Sequence, residues 1–259
     1  MNLHSQTTIE KGHGYLHWGW NRAMYTHSDL HLWGPNYDIV LHDLKATDRP
    51  TPFNTRDYFH PLRLTIPQTN FKMGYFIKDG LSLDFGFDHM KYIMVRRQMA
   101  RITGYIEDTR TRFDRVYENE LMEIIPGFLT YENTDGLNYI HLGVTQYWNL
   151  WSRPWIEVHG LTGGSLGILY PRTASRFIWG ELSDFYHVAG GGVAMKTGLK
   201  IVLFRGFSIQ NEWKGGYINM PDILTSNDRM EKGAQDFFFG QVNLLVGANI
   251  RLFGKRGKN

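Results

Sequence analysis

The sequence predicts an all-β protein, a transmembrane antiparallel up-and-down β-barrel of about twelve strands, with about ten strands as the alternative. Three observations predict it: a closing segment that alternates strictly between apolar and polar side chains, the recurrence of this alternation along the chain, and many aromatic residues. In the closing segment, 236–253, Val242 and Leu244 share one face, and Gln241 and Asn243 share the other. Because successive side chains of a strand point to opposite faces, one face meets apolar surroundings and the other polar ones.

The same alternation recurs in residues 15–21, 81–88, 137–150 and 193–203. Segments of about ten residues, apolar outward and polar inward, are typical of outer-membrane barrels. A soluble sandwich also alternates, but its polar face is the one in water. Here the polar face mixes Gly, His, Asn and isolated charges, which favours a crowded lumen over a solvated surface.

Composition agrees with one barrel. No linker or low-complexity tract divides the 259 residues, so we expect a single domain over 1–259, with terminal extensions at 1–12 and 254–259. Aromatic residues make up 15% of the chain, with Trp 8 and Tyr 14, as the girdles at both membrane interfaces require. No apolar run approaches the roughly 18 residues of a transmembrane helix. Without cysteine, disulfides and thiolate zinc sites are excluded.

The predicted strands follow from the alternation and from the turn residues between them. Tight turns are predicted at 34–36, 78–80, 151–154 and 204–206, all on the periplasmic side, and the long loops then fall outside. The charged stretch 108–123 breaks the pattern and is predicted to be a connection on the inner side. We place the strands near 13–24, 27–33, 37–46, 69–77, 81–94, 99–107, 124–132, 137–150, 154–168, 188–203, 207–219 and 236–253.

Candidate functional residues are those whose alternation points into the lumen. The turn at 204–206 predicts that Lys196 faces Glu212, and the turn at 78–80 places Asp84 diagonal to Lys72. Such a lumen holds both signs of charge, which fits either an ion-paired polar core or a site that binds or reacts. The predicted lumen-lining residues are His17, Asn21, Lys72, Asp84, Asp88, His141, Glu157, His159, Lys196, Lys200, Glu212 and Arg251.

The 11 histidines are the natural place to look for a metal site. Several fall on positions predicted to face inward, among them His31 and His42. His13 with His17, and His27 with His31, are four residues apart, but on a strand this spacing separates them by about 13 Å. A metal site needs three or four ligands at about 2 Å from one ion. We therefore expect no metal and no cofactor.

Enzyme chemistry is the alternative to a passive barrel. Some outer-membrane barrels are lipid hydrolases, with a Ser or water nucleophile and a His base. In this chain the nearest arrangement of such groups is His27, Ser28 and Asp29 in the first hairpin. A hairpin tip rich in Thr, His, Ser and Asp is also typical of an ordinary turn. These three residues are therefore catalytic candidates only under the hydrolase alternative.

The amino-terminal residues lack the basic region, apolar core and small-residue cleavage site of a signal peptide. We expect that the sequence starts at or near the mature end, with the signal peptide already removed, and that the protein lies in the outer membrane. The net charge is +3, and basic residues are not clustered with aromatic ones, so nucleic acid is not an expected partner. Membrane lipid is the expected partner, and other outer-membrane subunits are a further candidate.

Five strings carry a resemblance to a known class of protein: His17-Trp-Gly-Trp-Asn-Arg22, Ser28-Asp-Leu-His31, Ile66-Pro-Gln-Thr-Asn-Phe71, Phe87-Asp-His-Met-Lys-Tyr92 and Thr134-Asp-Gly-Leu-Asn-Tyr139. With them the chain resembles the small outer-membrane barrels of Bacteroidota-type bacteria. The resemblance implies an outer-membrane address and supplies no catalytic residues. The sequence thus predicts an outer-membrane barrel with a narrow or plugged polar lumen, acting as a structural, binding or minor transport component. The alternative is an outer-membrane lipid-modifying acyl hydrolase.

Overall fold

The computed structural model describes residues 8–52, 54–58, 67–204, 206–227 and 229–252. Most of the predicted extensions 1–12 and 254–259 lies outside these ranges, as does the last residue of the predicted closing strand. The strands are β1 (His13–Tyr25), β2 (Ser28–Gly34), β3 (Tyr37–Leu44), β4 (Ala46–Thr47), β5 (Thr69–Lys78), β6 (Leu81–Met94), β7 (Met99–Ile106), β8 (Arg115–Glu123), β9 (Leu129–Arg153), β10 (Ile156–Leu169), β11 (Arg172–Phe177), β12 (Ser183–Tyr186), β13 (Gly190–Leu203), β14 (Phe207–Leu224) and β15 (Lys232–Arg251). One short helix, α1 (Thr55–Tyr58), precedes β5. Within the described ranges no helix has the length and apolar character needed to cross a membrane.

Eight of the strands close into a ring, in the order β1-β5-β6-β9-β10-β13-β14-β15. The ring closes because β1 pairs antiparallel with β15 along its whole length, from His13 opposite Arg251 to Tyr25 opposite Phe239. On its other edge β1 pairs with β5, where His17 lies opposite Lys72. A closed ring leaves no edge along the barrel wall.

The two faces of the wall are chemically opposite. On β13, the outward Met195 is 76% exposed, whereas the inward Lys196 is 4% exposed. Every strand of the ring contributes exposed apolar side chains to a continuous outer belt, which comprises Leu16, Met73, Leu83, Phe85, Leu142, Val144, Leu166, Ile168, Val193, Met195, Leu199, Trp213, Val242, Leu244 and Ile250. An apolar exterior around a polar interior is the distribution of a transmembrane barrel. The predicted fold class is therefore confirmed.

The two ends of the ring differ. At the end that we call the turn end, three hairpins connect β5 to β6, β9 to β10 and β13 to β14 through short turns, and β1 begins there. Gly80 in the first of these turns has a φ of +74°, a backbone conformation that favours glycine. All longer connections lie at the opposite end, the loop end. The predicted asymmetry between short turns and long loops is present.

The same sheet continues beyond the loop end as a branch of β2, β3, β7 and β8, which we call the second sheet. The first residues of β15, Lys232–Gln235, project beyond the ring and pair with β2, and β3, β7 and β8 follow in that order. On another side β11 pairs with β12 and with the first residues of β9. Leu30, Ile39 and Ile102 from the second sheet pack with Phe128 into one apolar core. The loop end is thus a folded layer whose apolar core is continuous with the adjoining interior of the ring.

The number of strands in the ring differs from the prediction. Predicted strands 27–33, 37–46 and 99–107 exist but lie in the second sheet, because a sheet with one buried face also alternates. Predicted strand 137–150 and the last four residues of predicted strand 124–132 belong to the single strand β9, which begins at Leu129. The charged stretch 108–123 contains β8 and lies at the loop end, so its predicted inner position is wrong. The turn at 34–36 is also at the loop end, because β2 runs away from the ring.

The orientation of the wall predicts unequal costs for one charge at two exposed apolar positions. Met195→Arg near the middle of β13 should cost about 2–4 kcal/mol, because the charge would enter the apolar belt at mid-membrane depth. Val116→Arg on β8 should cost within about 0.5 kcal/mol, because Val116 is 66% exposed outside the ring. Reversible urea unfolding in phosphatidylcholine bilayers measures both costs. Equal costs would contradict the assignment of the belt to lipid.

Candidate functional site

The lumen holds every fully buried acidic or lysine side chain of the described part of the chain. There are four lysines and four carboxylates, and all of them lie on ring strands: Lys72, Lys196, Lys200, Lys214, Asp84, Asp88, Glu157 and Glu212. Burying an unpaired charge is strongly unfavourable, so the balance of signs is a requirement of the fold. The lumen is consequently packed with compensated charge.

Three ion pairs cross the interior between strands that are not neighbours. Lys72 on β5 pairs with Glu212 on β14, with β15 and β1 between them in the ring. Lys196 on β13 donates to Asp84 on β6 at 3.0 Å. These pairs tie opposite parts of the wall together through the middle of the barrel.

The third pair joins Lys214 on β14 to Asp88 on β6, which is the strand diametrically opposite in the ring. Asp88 also accepts a hydrogen bond of 2.6 Å from Asn70. His141 Nε2 lies 3.3 Å from Lys214 Nζ and 3.5 Å from Asp88 Oδ2. This cluster occupies the full width of the lumen.

Neutral side chains complete the hydrogen bonding of the other two carboxylates. Thr145 donates to Asp84 at 2.5 Å, and Gln210 donates to Glu212 at 2.6 Å. His17 Nε2 lies 2.9 Å from Ser208 Oγ. Carboxylates that are both paired and hydrogen-bonded are the form in which buried charge is tolerated.

Lys200 is the one buried lysine of the described residues that has no carboxylate among its hydrogen-bond partners. Its ammonium donates to Asn249 Oδ1 at 2.7 Å and lies 4.6 Å from the ring centroid of Tyr15 and 5.4 Å from that of Tyr147. The negative faces of aromatic rings attract a cation, most strongly where water is excluded. Lys200 is thus stabilised by a polar amide and an aromatic cage.

Glu157 lies near the turn end, where the segment that precedes β1 enters the barrel. Its carboxylate accepts hydrogen bonds from the backbone N–H and hydroxyl of Thr8, at 3.0 and 2.8 Å, and lies 3.0 Å from His159 Nε2. The carbonyl of Ile9 accepts a hydrogen bond from the backbone of Gly80 at 2.7 Å. Thr8 and Ile9 therefore cover the turn end of the lumen. Both belong to segment 1–12, which the sequence predicts to be a terminal extension.

Apolar clusters close the polar layer on both sides. At the turn end, Ile9 packs with Tyr15, Phe76, Tyr147 and Leu161. Toward the loop end, the interior is filled by Met90, Tyr139, Ile218, Phe237 and Phe239, which belong to the large core. An eight-stranded barrel has an interior just wide enough for its own side chains, and here those side chains fill it.

The structure places eleven of the twelve predicted lumen residues in the buried interior. Arg251 is the exception: it is exposed at the last position of β15. Asp84 lies opposite Gly74, which puts it diagonal to Lys72 as predicted. The predicted pairing of Lys196 with Glu212 is wrong by two positions, because Lys196 lies opposite Lys214 and Glu212 opposite Gly198.

Several contributors were not among the predicted residues. Lys214 is the most important, and its position two residues after Glu212 on the same strand face is a signal that could have found it. Asn70 stands in the same relation to Lys72. Gln210 stands in the same relation to Glu212. Thr145 carries no comparable signal, because no charged residue lies two positions away on its strand.

The histidines of the second sheet do not reach the lumen. His31 pairs with Asp38 at 2.7 Å and His42 with Asp29 at 2.8 Å, both on an open face of the β2–β3 hairpin. Their predicted inward orientation is wrong, because β2 and β3 lie outside the ring. Across the residues that the structure describes, no group of three or more His, Asp or Glu side chains is arranged to hold a metal ion.

The catalytic candidates of the alternative function are not brought together. The hydroxyl of Ser28 is buried and accepts a hydrogen bond of 2.9 Å from Gln235. His27 points to Asp43, at 2.9 Å, and Asp29 to His42. Adjacent strand residues face opposite sides, so His27 and Ser28 do not form a base and nucleophile pair in this structure.

No protein-family model matches the chain. No curated protein matches it. Among solved structures, the chain is similar to the outer membrane protein OprG from Pseudomonas aeruginosa, at 10% identity over 95% of this chain and 100% of that chain, with a TM-score of 0.46. It is also similar to Ail, the attachment invasion locus protein of Yersinia pestis, at 11% identity over 93% of this chain and 99% of that chain, with a TM-score of 0.36.

A third similar structure is Neisserial surface protein A, at 9% identity over 93% of this chain and 97% of that chain, with a TM-score of 0.37. All three TM-scores are below 0.5. The fold follows from the chain's own ring of strands.

The pair that spans the lumen predicts strong energetic coupling. Lys214→Met and Asp88→Asn should each cost about 3–5 kcal/mol, because each leaves a buried charge without its partner. The double variant should cost clearly less than the sum, since both charges are then gone. Unfolding in bilayers measures the cycle.

The exposed pair Arg97–Glu123, at 3.1 Å, is the matched control. The cycle of Arg97→Met with Glu123→Gln should give a coupling of at most about 1 kcal/mol, because water screens that pair. Additive costs at Lys214 and Asp88 would show that the two groups do not meet in the lumen.

Proposed function

We propose that the protein is an outer-membrane barrel with a filled, non-conducting lumen, whose role is to hold the folded loop-end layer at the cell surface as a binding surface. One observation carries the proposal: the three crossing ion pairs lie between apolar clusters at both ends of the lumen. A pore needs a continuous wetted path, and a layer of mutually paired charges sealed by aromatic and aliphatic side chains offers none.

The outer membrane is the proposed location because barrels with short turns at one end and long connections at the other are typical of it. In that arrangement the turn end faces the periplasm and the loop end faces outward. The resemblance of five sequence strings to small outer-membrane barrels of Bacteroidota-type bacteria supports the same address. Membrane lipid surrounds the belt in this proposal, and other outer-membrane subunits are candidate partners.

A binding role is favoured over a purely structural one by the construction of the loop end. The β2–β3 hairpin buries Leu30 and Ile39 while it presents His31 and Asp38 to solvent. Folded loops on a rigid scaffold are where binding residues are commonly placed. The hydrolase alternative gains no support from the hairpin, because the hydroxyl of Ser28 faces away from His27 and Asp29.

A conductance measurement tests the filled lumen. The full-length protein, inserted into a planar lipid bilayer, should give no stable open-channel current, because the ion pairs and the two apolar clusters leave no water-filled path. Insertion is verified separately, from protease protection of the same membranes. A steady current that changes with Lys214→Met would contradict the proposal, because it would place the conducting path through the paired charges.

The chain has no cysteine, so single introduced cysteines can report sidedness without background. Trp179→Cys, at the exposed loop between β11 and β12, should react with a membrane-impermeant maleimide on intact cells. Trp155→Cys, in the turn between β9 and β10, should react only after the outer membrane is opened. Both tryptophans are exposed, at 69% and 55%. The reverse pattern would place the loop end in the periplasm.

A further inference from the structure

A cationic cleft lies on the outer side of the barrel wall, where the apolar belt gives way to the loop end. On β1 the outward Trp20 packs against Tyr58, with ring centroids 5.8 Å apart. Arg22, the next outward residue, is exposed and donates to the hydroxyl of Tyr58 at 3.0 Å. An aromatic pair followed by a cation marks the level at which lipid headgroups meet a membrane protein.

Two irregularities in the wall open the cleft at this level. The register of β6 against β9 shifts between Met90 and Tyr92, which leaves Lys91 at an irregular position. Opposite, Gly136 of β9 has a φ of +129°, which L side chains rarely adopt. Bulges re-aim side chains out of the regular alternation. A cavity of about 260 Å³ results, lined by Arg49, Pro50, Thr51, Pro52, Lys91, Thr134 and Asp135.

The cleft carries more positive than negative charge. Its lining holds Arg49 and Lys91 against one carboxylate, Asp135. Charges of both signs act on the half-buried Lys91, those of Asp135 and Asp48 more strongly than those of Arg49 and Arg22. The Lys91 ammonium also donates to the hydroxyl of Thr51 at 3.3 Å. On the other side of Arg49, a second cavity of about 440 Å³ is lined in part by Arg96. Arg49 thus stands between two cavities, each with a further cation.

The nearby carboxylates are already engaged. Asp48 accepts hydrogen bonds from the backbone of Ala23 at 3.0 Å and from Gln68 at 2.5 Å. Asp135 is paired with Arg172 at 2.7 Å. By contrast, the guanidinium of Arg49 makes no hydrogen bond or ion pair with any residue in the described ranges. A cavity with engaged acids and an available guanidinium is suited to an anion.

We propose that this cleft binds a phosphate group, with Arg49 and Lys91 as its principal ligands and Thr51 as a hydroxyl donor. A guanidinium matches the oxygens of a phosphate in a bidentate manner, and an ammonium adds a point charge. The phosphate of a membrane lipid headgroup is the source that the position favours, because the cleft continues outward from the lipid-facing belt. This choice of source rests on the proposed membrane location, whereas phosphate binding itself does not.

The test uses the full chain in neutral detergent micelles and three probes: phosphatidic acid, phosphatidylcholine with the same acyl chains, and inorganic phosphate. Native mass spectrometry counts bound lipid, and titration gives relative affinities. We expect phosphatidic acid to bind at least about tenfold more tightly than phosphatidylcholine. Arg49→Gln and Lys91→Gln should each weaken phosphatidic acid binding by about tenfold, the effect of losing one charge-assisted contact.

Arg115→Gln on β8 is the matched control, because it removes the same charge from an exposed site outside the ring. It should change the affinity by less than about twofold, and circular dichroism should show all variants folded. If inorganic phosphate competes as strongly as the lipid does, the result would support phosphate binding by the cleft and would identify a free anion as its ligand. Equal binding of both lipids, or an equal loss in the Arg115 variant, would overturn the proposal. Neither result depends on conductance or on sidedness, so the two proposals can fail separately.

Discussion

The interior of an eight-stranded ring is the constraint on which the rest of this structure depends. Such a ring is too narrow for a water channel and too wide to be left empty, so its side chains must fill it. The inward positions of this chain carry four lysines and four carboxylates, and charges in that space persist only when each finds compensation. Pairing across the lumen follows from this requirement, and so does the rigidity of the wall that supports the loop-end layer.

Much of the fold and of the lumen lining could be predicted, because the alternation of apolar and polar residues is a local property of the chain. The barrel class, most strand positions and eleven of the twelve predicted lumen residues follow from which side of a strand each residue occupies. Asp84 and Asp88 are two such residues, four positions apart on β6. The position of a residue along a strand decides which face its side chain occupies. The two faces could therefore be assigned from the sequence before the neighbouring strands were known.

The partners could not be predicted, because they depend on contacts between distant parts of the chain. Lys72 and Glu212 are 140 residues apart, and only the order of strands around the ring brings them together. The predicted number of barrel strands is too high for a related reason. β2, β3 and β7 alternate as barrel strands do, although water and not lipid meets their open face. β8 is predicted as a connection because its glutamates interrupt the alternation, and the structure shows a short strand with a bulge at Asn119, whose φ is positive.

The closure of β1 on β15 has a consequence for how the protein is made. The two strands that complete the ring are the first and last barrel strands of the chain, with His13 opposite Arg251, so this seam has nearly the greatest sequence separation that the chain allows. Contacts of such high contact order form late and slowly. Until β15 is in place, β1 and β14 keep unpaired edges that invite pairing with other chains. The polypeptide is therefore exposed to edge-to-edge pairing with other chains from the time its first barrel strands form until this seam closes.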